Sequence, residues 1–280
     1  MMKTRPALAA AALAVIGLGT AACGGGVAAG AESAPAASTT GAAKSTASEA
    51  VAAPAQAAAP AKALKGKVIV IDPGHNGGNY KRPDVINKQV DVLTQKKACD
   101  TTGTATNDGY SEAAFTWDVS VRLAKLLRAE GATVKLTRDG NTGVGPCITQ
   151  RAAIGNKAKA DLAISIHADG AGSTSHGFHV IMPKKINGPV DPVVAKSAKL
   201  GLAVRDAVKK QTGMPYANYI GKNALDYRSD LGGLNLSTVP KVFIESGNMR
   251  NAGDAAKLKS SSWRQDLAEA LASSFQSYLK

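Results

Sequence analysis

The sequence predicts a single α/β domain in which a mainly parallel, mixed central sheet is flanked by helices on both faces. Short apolar runs, such as VIVI at residues 68–71 and LAISI at 162–166, alternate along the chain with longer amphipathic segments. This alternation is typical of strands connected by helices that cover both sides of a sheet. No internal repeat of useful period is present, so a repeat architecture is not indicated.

The first half of the domain contains one short strand and one strong helix. The strand at 68–71 is followed by a long irregular segment, 74–109. A helix is then predicted over 111–131, with Ser111 capping its start and Gly131 its end. Its apolar side chains recur at helical spacing; they are Phe115, Val119, Leu123, Leu126 and Leu127.

The second half of the domain continues the alternation. The predicted strands are TVKLTR (133–138), LAISIHA (162–168), GFHVIM (177–182) and KVFIES (241–246). Helices are predicted over 147–160 and 191–211, the latter stopped by Gly213 and Pro215. A final helix carries an apolar stripe every fourth residue; the stripe is Trp263, Leu267, Leu271, Phe275 and Leu279.

Residues 1–22 have the pattern of an export signal. Lys3 and Arg5 precede an apolar run at 7–18, which is followed by small residues. The run is too short to span a bilayer comfortably. Cys23 follows in a context that resembles a bacterial lipobox, so we expect a membrane-anchored lipoprotein of the cell envelope; the alternative is ordinary cleavage and free secretion.

Residues 23–64 are almost all Ala, Gly, Ser, Thr and Pro and contain no aromatic residue. Such a segment cannot bury enough surface to fold, so a disordered tether is predicted. It would span about 35 Å on average as a coil. The folded domain is therefore expected to occupy residues 65–280.

The domain itself is basic, because 30 of the 34 Lys and Arg residues and 19 of the 21 Asp and Glu residues follow residue 64. A basic surface attracts polyanions such as cell-envelope polymers, phospholipid or nucleic acid. The sequence lacks a basic run interleaved with aromatic residues and lacks zinc-finger spacing. Nucleic acid is therefore not expected as a partner, and a monomer is expected.

Two of the three cysteines, Cys99 and Cys147, remain once Cys23 is assigned to the lipobox. In an oxidising compartment a pair of cysteines favours a disulfide. Both lie in polar sequence, which argues against the alternative of two unpaired buried thiols. Closing this loop of about 48 residues would stabilise the fold by roughly 4 kcal/mol from chain entropy.

Three predicted strands end abruptly in polar residues. The first runs into Asp72 and His75, the second into His167 and the third into Glu245. Ligands bind at the carboxyl ends of strands in open α/β sheets. One such ending is weak evidence, because a lone histidine is more often structural, but three together indicate a site.

Two histidines at one sheet edge suggest a metal, and catalytic zinc sites use three protein ligands. Glu112 is the best third candidate, since it lies in the first turn of the strong helix. A first-turn glutamate also complements the helix dipole without any metal. His176 and His179 are rival ligands. Asp72 could orient a ligand histidine or merely shape the turn before Pro73.

Other catalytic motifs are missing from the sequence: it has no HExxH, no Gly-x-Ser-x-Gly elbow, and neither a Walker A nor a Rossmann glycine pattern. Five blocks instead resemble the zinc-dependent N-acetylmuramoyl-L-alanine amidases of the amidase-3 family, most closely the actinobacterial and mycobacterial single-domain members. They are VIVIDPGHNGG, SEAAFTWDVSVRLAKLL, LAISIHADG, GFHVIM and VPKVFIESGNMRN. The resemblance covers roughly residues 67–280.

The resemblance implies that His75, Glu112 and His167 bind zinc and that Glu245 is the catalytic glutamate. It implies cleavage of the amide between N-acetylmuramic acid and the L-alanine of the peptidoglycan stem peptide. The alternatives are a zinc peptidase acting within the stem peptide and a non-catalytic wall-binding protein.

Further positions either match or depart from the family pattern. Arg138 and Arg151 match family arginines with mainly structural roles. Departures are Asn248, His179 in place of a glutamate, and a long segment at 79–108. We expect the predicted disulfide to brace Glu112, which lies inside its loop.

Overall fold

The computed structural model describes residues 62–280. The predicted signal peptide, Cys23 and nearly all of the predicted tether lie outside the described residues. Leu64, which the sequence places at the end of the tether, is fully buried, and its backbone N–H donates to the carbonyl oxygen of Glu130. The packed chain therefore begins at least one residue before the predicted boundary.

The described chain contains eight strands and seven helices, with 3-10 turns at Asn79–Lys81 and Asp191–Val193. The strands are β1 Val68–Pro73, β2 Gln89–Asp91, β3 Lys96–Ala98, β4 Thr133–Leu136, β5 Leu162–Asp169, β6 His179–Pro183, β7 Leu225–Arg228 and β8 Lys241–Asn248. The helices are α1 Pro83–Ile86, α2 Glu112–Ala129, α3 Ile148–Lys157, α4 Val194–Thr212, α5 Gly232–Asn235, α6 Ala252–Lys259 and α7 Ser261–Leu279.

Six strands form one mixed sheet in the order β4-β1-β5-β8-β6-β7. All neighbouring pairs are parallel except β6 and β8, which are antiparallel. The carboxyl ends of β1, β5 and β8 therefore lie side by side at one edge of the sheet. The predicted fold class is confirmed, and so is the juxtaposition of the three polar strand endings.

The two faces of this sheet differ in composition, because successive side chains of a strand point to opposite sides. One face, here called the apolar face, packs against α2, α4 and α7. Its central strands contribute Ile69, Ile71, Ile164, Ile166, Val242 and Ile244. The opposite face, here called the site face, packs against α3 and α5. It carries Asp72, Ser165, His167, Lys241, Phe243 and Glu245, which alternate in sequence with the first set.

Helix α2 begins and ends as its sequence predicts. The Ser111 side chain accepts a hydrogen bond from the backbone N–H of Ala114, and Gly131 follows the last turn with φ +90°. Serine satisfies a free N–H at a helix start, and glycine adopts this left-handed conformation with little strain. The cap sets the position of Glu112, the first residue of the helix.

Several elements are not apparent from sequence periodicity. The segment predicted as irregular contains α1 and the antiparallel hairpin formed by β2 and β3. Strand β7 and helices α5 and α6 are also absent from the sequence-based prediction. Each is short, and β2, β3 and β7 are at most half-buried, so no continuous apolar run marks them. Among the described helices, none has the length and apolarity needed to cross a membrane.

Candidate active site

Strand β1 delivers His75 through a tight turn. His75 has a φ of +58°, which non-glycine residues rarely adopt. Gly74 lies against the His167 ring so closely that a Cβ at this position would collide with three ring atoms. The two imidazoles meet edge to face with their centroids 4.8 Å apart. A glycine at 74 is therefore required to bring the two histidines together.

Glu112 lies between the two histidines. Its Oε2 is 3.2 Å from His75 Nε2, and its Oε1 is 2.8 Å from His167 Nδ1. The backbone N–H groups of Thr104 and Ala168 donate to the same carboxylate. Burial opposes the charged form, but His75 and His167 outweigh it and hold the pKa of Glu112 far below its usual range. The site thus contains a carboxylate that is ionised at neutral pH.

His75 is also contacted from the opposite side. Its Nδ1 lies 3.4 Å from Asp100 Oδ1 and 3.1 Å from the carbonyl oxygen of Thr101. Burial lowers the pKa of His75, but Glu112 and Asp100 overcome this and raise it to about 10. In proteins, a metal-binding histidine is commonly oriented by a carboxylate or a carbonyl oxygen that contacts the ring nitrogen not used for the metal, here Nδ1.

His167 lies in a different environment. Its ring stacks on Phe243 with centroids 4.0 Å apart. Burial lowers the pKa of His167 in spite of its hydrogen bond to Glu112. A neutral imidazole is the form that binds a metal, so burial favours the competent state of this side chain.

His75, Glu112 and His167 can hold a metal ion. Their ligand atoms all lie within 4.8 Å of one another. Two imidazoles and one carboxylate form the donor set of catalytic zinc sites that leave a position for substrate or water. Gly103 faces this cluster, and a Cβ there would lie 2.8 Å from Glu112 Oε2. Within residues 62–280, this is the only such group of three, and the rivals His176 and His179 are not part of it.

Glu245 joins the site from β8, where it pairs in register with His167. Its Oε2 is buried and has no hydrogen-bond partner. Burial, followed by the charges of Glu112 and Asp169, raises the pKa of Glu245 well above its usual value. A carboxyl group with a raised pKa can both accept and return a proton, which is the requirement for general acid–base chemistry.

His179 lies on the other side of Glu245, directly opposite it in the antiparallel pair of β6 and β8. Its Nδ1 is buried without a hydrogen-bond partner, and burial lowers its pKa. The Tyr219 ring meets His179 edge to face, while the Tyr219 hydroxyl donates to Asp169. His179 therefore lies next to Glu245 in the sheet, outside the three-residue cluster.

The proposed role of Asp72 in orienting a ligand histidine is wrong. Its carboxylate accepts hydrogen bonds from Ser165, Thr137, Arg151 and Lys241, and from neither histidine. The physical reason is that Asp72 lies on the site face below the strand ends, between two buried cations. Burial opposes its charge, but Lys241 and Arg151 hold the pKa of Asp72 well below its usual range.

Cys99 and Cys147 form the predicted disulfide. The bridge joins the loop that carries Asp100 to the start of α3, which carries Arg151. Arg151 donates to Asp100, Asp72 and the carbonyl oxygen of His75. The bridge therefore lies beside the support of His75, and its relation to Glu112 is less direct than expected.

Arg138 has a related structural role at the other side of the turn. It donates to the carbonyl oxygens of Pro73, Gly74 and Ala113. These contacts join the exit of β1 to the first turn of α2. The structural interpretation of both arginines agrees with their contacts.

A cleft of about 380 Å³ opens over these residues. It extends from the three-residue cluster and Glu245 along the site face, past Phe243, to the β2–β3 hairpin and the start of α5. Lys97 of the hairpin forms an ion pair with Asp230 at 3.1 Å beside α5. Sequence reasoning missed Asp100, Lys241 and Phe243; only the position of Asp100 directly after Cys99 signals its involvement.

Comparison with known proteins agrees with this geometry. The family profile of N-acetylmuramoyl-L-alanine amidases matches residues 69–277. An N-acetylmuramoyl-L-alanine amidase of Mycobacterium tuberculosis is 39% identical over 210 residues, which cover 74% of this chain and 84% of that protein.

Two crystal structures of mycobacterial amidases are similar to the described fold. Ami1 of Mycobacterium smegmatis has a TM-score of 0.72 and 37% identity over 77% of this chain and 98% of that chain. The apo form of Ami1 from Mycobacterium abscessus has a TM-score of 0.72 and 39% identity over 78% of this chain and 100% of that chain.

Proposed function

The chain belongs to the amidase-3 family of N-acetylmuramoyl-L-alanine amidases, which are peptidoglycan hydrolases, and on that premise we propose a zinc-dependent reaction carried out by Glu245 beside His75, Glu112 and His167. The substrate is the amide between the lactyl group of N-acetylmuramic acid and the L-alanine of the stem peptide. The convergence of two imidazoles and a buried carboxylate within 4.8 Å carries this proposal.

His75, Glu112 and His167 would hold the zinc ion. Zinc bound there would act as a Lewis acid that polarises the scissile carbonyl and activates water. Asp100 and Thr101 orient His75, while Thr104 and Ala168 fix the Glu112 carboxylate through their N–H groups. The site is thus held in place before substrate enters.

Glu245 moves the proton in the proposed reaction. Its buried, unpartnered Oε2 takes a proton from the attacking water and delivers it to the nitrogen of the leaving L-alanine amine. Acid–base assistance of this kind contributes about 10²–10⁴ in rate. Phe243 and the start of α5 line the same cleft as Glu245 and form its apolar side.

Metal analysis combined with digestion of purified muropeptides tests these roles. Glu245→Gln should retain zinc and lose about 10²–10⁴ in turnover. Glu112→Ala should lose both zinc and activity. Glu269→Gln, an exposed glutamate on α7, is the matched control and should change neither. If Glu245→Gln loses zinc, the assignment of Glu245 is wrong.

The digestion products identify the bond that is cleaved. Mass spectrometry should find intact stem peptides released from the glycan. Fragments produced by cleavage between amino acids would instead support the alternative of a zinc peptidase.

We also propose that the mature protein is an exported lipoprotein attached through Cys23. The lipobox-like context of Cys23 and the low-complexity residues 23–64 support this. Labelling with a radioactive fatty acid should mark the wild type and not Cys23→Ala. Equal release of both proteins into the medium would support free secretion.

A further inference from the structure

The end of the sheet opposite the active site carries a concentration of lysines. The first residues of β1, β5 and β8 lie side by side there, together with the last residues of the antiparallel β6. Eight exposed lysines from five separate chain segments flank this edge. They are Lys62, Lys65, Lys157, Lys159, Lys184, Lys185, Lys196 and Lys280, and we call this surface the basic end.

None of the eight lysines of the basic end forms an ion pair with an acidic side chain of the described residues. The ion pairs of residues 62–280 involve other cations. Three carboxylates lie nearby, and each already accepts a backbone N–H. Glu130 accepts from Ala63, Asp161 from Val68, and Asp191 from Ile186. Eight lysines against these three carboxylates leave this end with an excess of positive charge.

Part of the basic end is concave. Lys159, Lys196 and Lys280 line a shallow depression of about 460 Å³ together with Asp161 and Tyr278. Neighbouring strands lie about 4.8 Å apart, so the edge from β4 to β6 is on the order of 20 Å wide. A surface of this width with unpaired cations can contact several anionic groups at once.

The chain enters the fold at this same end. Val68 is the first residue of β1, and its backbone N–H donates to Asp161. Lys62 and Lys65 lie in the segment immediately before β1. Residues 1–61 are therefore joined to the basic end. In sequence they include the apolar run at 7–18 and Cys23.

We propose that the basic end binds the anionic phospholipid surface of a membrane and directs the cleft away from it. The six residues of β1 separate the two ends by about 20 Å, so phospholipid bound at one end does not occlude the other. A wall polymer bound there would be held on the side remote from the cleft, which makes phospholipid the better match. The inference does not depend on the reaction catalysed at the site.

Sedimentation of the full 280-residue chain with vesicles tests this inference. Vesicles of phosphatidylglycerol with phosphatidylcholine should bind the chain, with affinity falling as salt is added. The triple variant Lys159→Gln, Lys196→Gln, Lys280→Gln should bind on the order of a hundredfold more weakly, from about 1 kcal/mol for each lysine near an anionic surface. All proteins share residues 1–61, so differences between them report on the folded part.

A matched control removes the same charge elsewhere. The triple Lys88→Gln, Lys210→Gln, Lys222→Gln changes exposed lysines outside the basic end, and its binding should fall by less than about tenfold. Equal loss in both triples would overturn the inference, because net charge alone would then explain binding. Absence of binding to phosphatidylglycerol vesicles would also overturn it.

Two further measurements distinguish membrane binding from a folding defect and from binding to a wall polymer. A second basic-end triple, Lys65→Gln, Lys157→Gln, Lys185→Gln, should reproduce the loss, which guards against a folding defect in the first. Hydrolysis of soluble muropeptides should be unchanged in every triple. A purified phosphate-containing wall polymer is then added to the vesicles at equal total charge. If it displaces the chain from the vesicles, the partner of the basic end is that polymer and not the membrane.

Discussion

The two faces of the central sheet are built from the same strands and serve different purposes. The apolar face buries Ile69, Ile164 and Ile244 against α2, α4 and α7. The site face places Asp72 and Lys241 at 3.0 Å, out of contact with water. Burying an aliphatic side chain contributes about 1.5–3 kcal/mol, whereas a buried ion pair contributes little net stability.

We infer from this difference that the apolar face supplies most of the stability of the fold, whereas the site face positions the metal-binding side chains. On the site face, contacts run from Lys241 through Asp72, Arg151 and Asp100 to His75. Each partner is charged and each has a specific geometry. We therefore expect changes on the apolar face to alter folding alone, and changes on the site face to alter folding and metal binding together.

The largest expected effect on stability comes from the apolar face. Phe115 of α2 is fully buried, and Phe115→Ala should lower the free energy of unfolding by about 3–5 kcal/mol, because it leaves a cavity. Chemical denaturation measures this loss. Zinc affinity at low denaturant should match the wild type, and Phe115→Leu should show a smaller loss. A large fall in zinc affinity would mean that packing on the apolar face also determines metal binding on the site face.

Asp72→Asn removes the common partner of Arg151 and Lys241. Leaving two buried cations with a neutral partner should cost about 3 kcal/mol. Unlike Phe115→Ala, it should also weaken zinc binding, because Arg151 supports the His75 backbone. Denaturation and zinc titration measure the two effects, and Asp139→Asn is an exposed control.

The pH dependence of the Asp72 contribution has a definite sign. The folded-state pKa of Asp72 is depressed, so its stabilisation is complete above the unfolded pKa of about 3.9. It is lost as the pH falls below that value toward the folded pKa. The stability difference between wild type and Asp72→Asn should therefore narrow under strongly acidic conditions. A constant difference from neutral pH to acid would contradict the assignment.

Removal of the disulfide tests whether the metal site on the site face depends on this covalent bond. C99S/C147S should lower the free energy of unfolding by about 2–4 kcal/mol. Zinc affinity should also fall, since Cys99 precedes Asp100. Wild type treated with a reducing agent should behave like the double variant. Unchanged zinc affinity in both samples would show that the bridge does not support the metal ligands.

The smallest expected effect on stability concerns Asp100, which contacts His75 and Arg151 on the site face. Asp100→Asn keeps the size of the side chain but removes the charge beside His75 Nδ1. Zinc affinity should fall by about 10–100-fold. The denaturation midpoint should fall less than in Asp72→Asn, because Arg151 loses the charge of Asp100 but keeps its ion pair with Asp72. Asp91→Asn, at an exposed position of the hairpin, is the control. Loss of stability without loss of zinc affinity would assign Asp100 a purely structural role.

The site residues at the strand ends were predictable, because the local sequence and the general topology of parallel sheets are enough to locate them. Apolar runs that stop at His75, His167 and Glu245 must meet if their strands are parallel, and the capped helix start locates Glu112. The structure brings the first two and Glu112 within 4.8 Å. The β2–β3 hairpin was not predictable, because its strands of three residues carry no periodic signal.

By itself, the sequence determined the fold class, the residues at the strand ends and the pairing of Cys99 with Cys147, since each depends on short patterns and on few alternatives. Only the tertiary structure decided the partners of Asp72. Lys241 lies 169 residues away from Asp72 in sequence. The register of β1, β5 and β8 places Asp72 opposite Ser165 and Ser165 opposite Phe243, so that Lys241, two residues before Phe243 on the same face, reaches Asp72 with its long side chain. A one-residue shift would turn either side chain to the apolar face, and no local pattern encodes that register.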